Sequence, residues 1–517
     1  MTGSGLNQSA IPPTVGGFPQ WLDGSSILGG LYRLMVHGDV LVNRVWQQSM
    51  LGKIVNTLRD WMYRCVDSSL FFKVLGRWAQ QVPCLSTIPF LPVAIGLFFL
   101  LACLANTGLM AMAMCGLAVL ALLDGLIYRR CWLNHLTVID AWVVLYFASA
   151  LVATCFSSVQ PHSMFGLGKI ILFVLGYGVF RQCVAFQPVA LRWLLAWLVV
   201  LGLWQAGVGY LQLHQQALSL ATWQDPNINP ELKLTRIFGT LKPLNPNLLA
   251  GFLVPVAGMA LHWAGVRLYD LLQSISRQTV IMAALWAAIA VMLLWATAAT
   301  GSRGAYLAIA AMAGTVFMMH GHWLFRRAIW PQWWLKVGWV MLAVGMIVGV
   351  LGLLATSDAL RHRVMSIFSM YEDSSIAYRF HVYQASWRMI VDNWLLGIGP
   401  GNQTFTQIYG LYQTPGYNAL GTYSVPLEIW VEQGILGLIA YAGLLLTVLL
   451  RWLHGLDSQM NGRLLSLGLA CFVALVGVFV YGWFDTVWYR PIVQWESWLL
   501  LACFSVVTLT ASREERV

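Results

Sequence analysis

Two arginines set among apolar residues are the side chains best suited to chemistry in this chain. Arg303 stands in "ATAATGSRGAYLAIA" (residues 296–310) and Arg236 in "LTRIFGTLKPLNPN" (residues 234–247). A guanidinium grips an oxyanion by two parallel hydrogen bonds, so a pair of them suits a diphosphate or another oxyanion. A charge beside long apolar runs is costly and calls for a reason. The simpler reason for Arg303 is a tight turn whose side chain reaches lipid phosphates; the functional one is an outward-facing cavity shared with Arg236.

Other charged residues widen the set. Lys233 and Lys242 lie in the same segment as Arg236, and Arg379 and Arg388 lie in "SSIAYRFHVYQASWRMIVDNWLLGIGPGN" (residues 374–402). That stretch reads as an amphipathic helix lying over a cavity like a lid, with His381 as a surface residue on it. The "GIGPGN" that ends it reads as a tight turn, since no strand or βαβ unit surrounds it to make a nucleotide cradle. Glu428 and Glu432 stand four apart, on one helix face; pairing with the loop arginines is expected, with Glu428 as a catalytic carboxylate the alternative. Asp485 and Arg490 in "FDTVWYRP" are opposite charges five apart and read as a structural ion pair closing a loop. His320 and His322 read as part of an interfacial loop rather than a metal site, and the nine cysteines show no ligand or disulfide spacing. No metal and no cofactor is expected.

The elements that must position these residues are membrane spans. With 59% hydrophobic and 10% charged residues, and apolar runs long enough to cross a hydrocarbon core, the chain reads as an all-α polytopic membrane protein. About twelve transmembrane helices are expected, near residues 88–105, 107–127, 139–158, 164–182, 192–210, 247–264, 279–299, 304–319, 335–355, 426–449, 464–482 and 496–511. Residues 1–87 form an amphipathic, basic region, 88–511 the transmembrane domain, and 512–517 a tail. Two long outer loops follow, at about 211–246 and, between spans nine and ten, 356–425. Loops of that length usually carry function. Asn245 or Asn247 is placed to cap the sixth span.

Lys and Arg concentrate in segments that share a side with the first 87 residues, which contain no cleavable signal pattern. Both termini are therefore expected in the cytoplasm, in the plasma (inner) membrane. The formal net charge of +10 then reflects topology and anionic lipid, and no nucleic-acid partner is expected.

The motifs "TRIFGTLKPLNPNLLAGFL", "TGSRGAYL", "YRFHVYQASWRMIVDNWLLGIGPGN" and "YSVPLEIWVEQGILGLIAY", in this order, resemble the O-antigen ligase and polymerase superfamily (the WaaL and Wzy type). "RVMSIFSMYEDSS" and "FDTVWYRP" are similar to the cyanobacterial IctB family within it, which is usually described in terms of bicarbonate transport. The resemblance implies metal-independent, inverting transfer of a glycan from a polyprenyl diphosphate, the diphosphate being held by Arg236 and Arg303; Arg379 and Lys242, basic residues of the two outer loops, are expected as further binding residues. It also implies a histidine at the position of Tyr423, which is absent; a tyrosine there donates a hydrogen bond more readily than it accepts a proton. Uptake of bicarbonate, or an accessory role in it, is the alternative function, and the partner is then bicarbonate instead of a polyprenyl-diphosphate-linked glycan.

Overall fold

The computed structural model describes residues 26–69, 90–217, 236–327, 374–457 and 462–514, with Val337, Met341 and Gly352 besides. The expected span at 335–355, Lys233 and the motif at 363–375 lie wholly or largely outside the described residues.

Three short helices come first: α1 (Ser26–His37), α2 (Asp39–Gln48) and α3 (Met50–Ser68). The bundle follows with α4 (Phe90–Ala102), α5 (Thr107–Ile127), α6 (Val138–Cys155), α7 (Gln160–Phe186), α8 (Pro188–His214), α9 (Pro246–Gln273), α10 (Arg277–Ala299) and α11 (Arg303–Arg327). Two extramembrane helices, α12 (Ser374–Asn393) and α13 (Asn402–Tyr409), precede α14 (Val425–Asp457), α15 (Gly462–Gly482) and α16 (Pro491–Glu514). Among the described residues ten helices are long and apolar enough to cross a membrane, and α4 is a shorter apolar one. The chain is thus an all-α integral membrane protein, and eleven of the twelve expected spans coincide with these helices.

Local chemistry explains where the helices begin. Asn106 Oδ1 accepts from the Leu109 amide at 3.0 Å to cap α5, Thr137 and Asp140 cap α6 reciprocally, and Ser276 with Thr279 does the same for α10. Each cap satisfies amides that would otherwise be orphaned at a helix start. α7, α8 and α9 carry proline in their first turn, where its missing amide costs nothing.

Burial sorts the spans. The apolar window of α16 is 89% buried and that of α10 only 22%, so α16 is central and α10 faces outward. α9, α15 and α16 form the middle; α9 packs on α10 and α15, α14 on α6, and α7 on α16.

One charged pair lies inside this packing. Arg181 Nε and Nη2 reach the two Asp140 oxygens at 3.1 and 3.2 Å, and Tyr177 donates to the same carboxylate. Both charged side chains are at most 1% exposed, which is tolerable because each meets its counterion, Asp140 accepts further from Thr137 and Tyr177, and Arg181 donates to the His135 carbonyl.

His320 departs from the expected interfacial loop. It lies inside α11, buried, with Nδ1 2.9 Å from the Val316 carbonyl. The helix continues past the apolar run because Gly265 on α9 leaves room for the ring, which also packs 6.1 Å from His262. Among the described residues no group of His, Cys, Asp and Glu is arranged to hold a metal.

Candidate functional site

Five of the residues singled out above meet where α9, α11 and α14 begin. Arg236 Nε donates to the Thr300 carbonyl and its Nη2 to Asn247 Oδ1, both at 2.7 Å. Asn247 is free to take that bond because Asn245 caps α9 instead, its Oδ1 accepting from the Asn247 amide. The side-chain Nδ2 of Asn247 then donates to Asp485 Oδ2 at 2.9 Å. Thr300 ends α10, and Gly301 with φ +65° turns the chain so that Arg303 becomes the first residue of α11. Arg236 therefore fixes the turn that presents Arg303, three residues away.

A second arginine reaches the cluster from the opposite direction. Arg379 on α12 donates from Nη1 to the Phe484 carbonyl at 2.8 Å, and its Nη2 lies 3.9 Å from Asp485 Oδ2. Its guanidinium stands over the Tyr423 ring at 5.8 Å, within cation–π range. Tyr481 completes the floor: its hydroxyl donates to the Asn247 carbonyl at 2.9 Å and lies 3.2 Å from Ser302 Oγ.

The charge balance favours an anion. α9 and α11 both start here, each with no acidic residue in its first turn. Helix starts carry partial positive charge, so an arginine at the start of α11 is of the wrong sign for its own helix by roughly 0.3–1 kcal/mol. Helix starts and guanidiniums together make a receptive corner for an oxyanion, only partly offset by Asp485.

Tyr423 lies just before α14 with φ +56°, a backbone conformation that costs a non-glycine residue about 1–3 kcal/mol and persists only when its surroundings hold it. Its neighbours do hold it. Glu428 accepts from the Thr422 amide, and Thr422 Oγ1 donates to the Ser424 carbonyl at 2.8 Å. Burial pushes the Tyr423 hydroxyl well above the ordinary tyrosine range, and Tyr378 adds to this while Arg379 opposes it. Burial thus favours the neutral hydroxyl of Tyr423.

The expected pairing of Glu428 and Glu432 with loop arginines is not what the structure shows among the described residues. Both carboxylates are buried and accept from backbone amides of the segment between α12 and α14: Glu428 from Thr422, and Glu432 Oε1 from Gly401 at 2.9 Å. The reason is a break in α14. Gly434 is non-helical (φ 66°, ψ −163°), and the "GIGPG" turn fills the gap. Ile398 and Gly399 amides donate to the Val431 and Glu432 carbonyls at 2.9 Å, and the Ile435 amide to the Trp394 carbonyl at 2.9 Å. An added Cβ at Gly434 would stand 2.2 Å from the Leu395 oxygen, so only glycine fits. The turn is a structural wedge, as its sequence suggested.

The remaining predicted residues divide. Lys242 is exposed, and among the described residues no hydrogen bond joins it to the cluster. Arg490 is exposed and its carbonyl takes the Gln494 amide at the start of α16, while the Asp485 carboxylate is engaged by Asn247 and Arg379. Arg388 is exposed on α12. His381 is half-buried, its ring 4.1 Å from that of Tyr417, with Nδ1 buried and lacking a hydrogen bond. Tyr378 joins that pair to the site, its ring 5.9 Å from both Tyr417 and Tyr423.

Tyr481 and the Thr300 and Phe484 carbonyls were not singled out in the sequence, and Asn247 only as a candidate cap. The one signal was the doubled asparagine of "NPN", of which a single residue suffices as a cap.

Residues 288–442 match the family model described as O-antigen ligase. The matched stretch contains Arg303, Arg379, Tyr423 and both buried glutamates; Arg236 and Asp485 lie outside it. No curated protein matches the chain.

Proposed function

For a multi-pass membrane protein that carries an O-antigen ligase-like domain, we propose transfer of a glycan from a polyprenyl diphosphate to an acceptor hydroxyl on the outer face of the plasma membrane. The observation that carries this reading is the convergence of Arg236, Arg303 and Arg379 on two helix starts, beside Tyr423, at one face of the bundle. The acceptor oxygen attacks the anomeric carbon, the bond from that carbon to the diphosphate oxygen breaks, and the polyprenyl diphosphate leaves with its charge held by Arg303 and Arg379. Fixed positive charge stabilises that leaving group without reorganisation at the moment of reaction. Tyr423 donates a hydrogen bond to a diphosphate oxygen, and Glu428 positions Tyr423 through Thr422. The acceptor proton passes to Nε2 of His381, which is carried on the same helix as Arg379, Nδ1 being buried.

The test uses full-length protein in proteoliposomes with a fluorescent polyprenyl-diphosphate-linked glycan. Turnover by the native chain, lowered about 100-fold or more in Arg303→Ala, is expected for a preorganised charge contact. No transfer with any such donor, together with unchanged envelope glycans on deletion, overturns it.

A second reading, uptake of bicarbonate or an accessory role in it as in the IctB family, draws on one observation: a spanning helix, α14, is interrupted. Interrupted helices often mark transport sites. The freed backbone groups at this break are taken up by residues 394–399, however, and the glycan reading is the better supported. Bicarbonate uptake no faster than into empty vesicles would dispose of direct transport.

A further inference from the structure

We propose that α3, continued by α2, lies in the plane of the membrane as an anchor seated on anionic lipid, at the end of the bundle opposite the candidate site. At 100° per residue, Met50, Trp61, Ile54, Cys65, Leu58 and Leu51 fall within one arc of about 100° on α3. These side chains are open: Met50 is 80% exposed, Leu51 59%, Trp61 56%, Leu58 52% and Ile54 45%. Val55, Met62 and Val66 continue the arc and are half-buried, so one apolar face divides between the protein and the surroundings.

The charges are sorted to match. Exposed Lys53 and Arg64 are eleven residues apart, three turns, and flank the open arc along one edge. Asp60 and Asp67 lie next to Lys53 on that edge, beyond it from the open arc, and both are engaged: Asp60 with Arg59, and Asp67 with Arg129. An open apolar stripe edged by Lys53 and Arg64, with its carboxylates already paired to other arginines, matches acyl chains beneath anionic headgroups. A basic edge of this kind is less suited to a second copy, which would present the same positive charge.

A clasp holds the assembly at that end of the bundle. Arg451, near the far end of α14 from Tyr423, is buried; it donates from Nε to the Met35 carbonyl and from Nη1 to Thr508 Oγ1, both at 3.0 Å, and pairs with Asp39. Asp39 also accepts from the Val138 amide at 2.8 Å, and the Asn43 side chain bonds the Leu136 backbone in both directions. Arg59 ties α3 itself to Asn134 at 2.9 Å. α3 is thus fixed at the rim of the spans, its last turns tied to Arg129 and Asn134 just past the end of α5.

The experiment is lipid-borne carbene photolabelling of the full-length protein in nanodiscs of zwitterionic lipid alone or with anionic lipid. Labelling of Leu51, Ile54, Leu58 and Trp61 is expected, rising with anionic lipid, and falling by roughly fivefold per charge reversed in Lys53→Glu and Arg64→Glu. Labelling of α5 serves as the reference for a folded bundle. An unlabelled stripe beside a labelled α5, labelling indifferent to lipid charge, or cross-linking of a photoreactive side chain at position 58 to a second copy would each overturn the proposal.

Discussion

Replacing Gly166 with alanine tests how the segment between α12 and α14 is seated. A Cβ on Gly166 of α7 would stand 1.9 Å from the Pro400 oxygen and 2.9 Å from Gly401 Cα. Carbon and oxygen approach to no less than about 3.3 Å even in weak hydrogen bonds, so the turn must retreat by about 1.4 Å. That retreat breaks the bonds from Ser157 Oγ to the Ile398 carbonyl at 2.7 Å and from the Gly401 amide to Glu432. Forcing one methyl into a packed contact costs about 1–3 kcal/mol; at about 2 kcal/mol the open state of the turn gains roughly 30-fold in population. Hydrogen exchange in nanodiscs reads this directly, with amides of residues 395–410 expected to exchange roughly 30-fold faster in Gly166→Ala. Gly168, two residues on in the same helix, is the control: a Cβ there meets nothing within 4 Å, and Gly168→Ala stabilises the helix by up to about 1 kcal/mol. Unchanged exchange in Gly166→Ala, or equal effects at the two positions, refutes the wedge.

Arg236→Lys keeps the charge but has a single nitrogen for two acceptors; transfer is expected to fall about 100-fold, in line with losing a charge-assisted bond of about 1.5–3 kcal/mol, and near-native turnover would show that charge alone suffices. His381→Ala should lower transfer by about 100- to 10,000-fold if it takes the acceptor proton, with donor binding unchanged; a surface histidine would leave turnover intact. The neutral hydroxyl of Tyr423 is favoured by the fold, so its contribution is full below the ordinary tyrosine value and is lost only as pH rises through the raised one. Native protein and Tyr423→Phe should accordingly show the same pH profile of turnover below pH of about 10, the variant displaced downward. Asp39→Ala leaves Arg451 buried without its counterion and should cost about 3–5 kcal/mol in denaturation experiments; a loss under about 1 kcal/mol would show the clasp to be incidental.

The spans were legible because a run of apolar residues long enough to cross a bilayer is itself the physical requirement for a transmembrane helix. Their ends were less so. α9 runs to Gln273 and α11 to Arg327, several residues beyond the apolar runs, since a helix continues through polar residues as long as nothing caps it. Arg236 and Arg303 stood out because charge among apolar residues is conspicuous. What they touch did not, because Arg379 meets Phe484 and Asp485 across more than a hundred residues, a pairing no local spacing encodes. The spacing of Asp485 and Arg490 suggested an ion pair on proximity alone, whereas the carboxylate turns to Asn247 and Arg379. The glutamates showed the same limit in reverse: their shared face was correct, and their partners were backbone amides whose position depends on the break at Gly434.

Asp140 and Arg181 bear on how the chain first enters a bilayer. They belong to successive spans and are 41 residues apart, so synthesis delivers the aspartate before its counterion exists. Asp140 lies in the first turn of α6 and Arg181 near the end of α7, so the pair sits at one end of both spans; either charge alone there costs less than the roughly 3 kcal/mol of a mid-bilayer charge, and together they neutralise each other. α6 and α7 therefore gain by entering lipid together as a hairpin, which brings the two charges into contact.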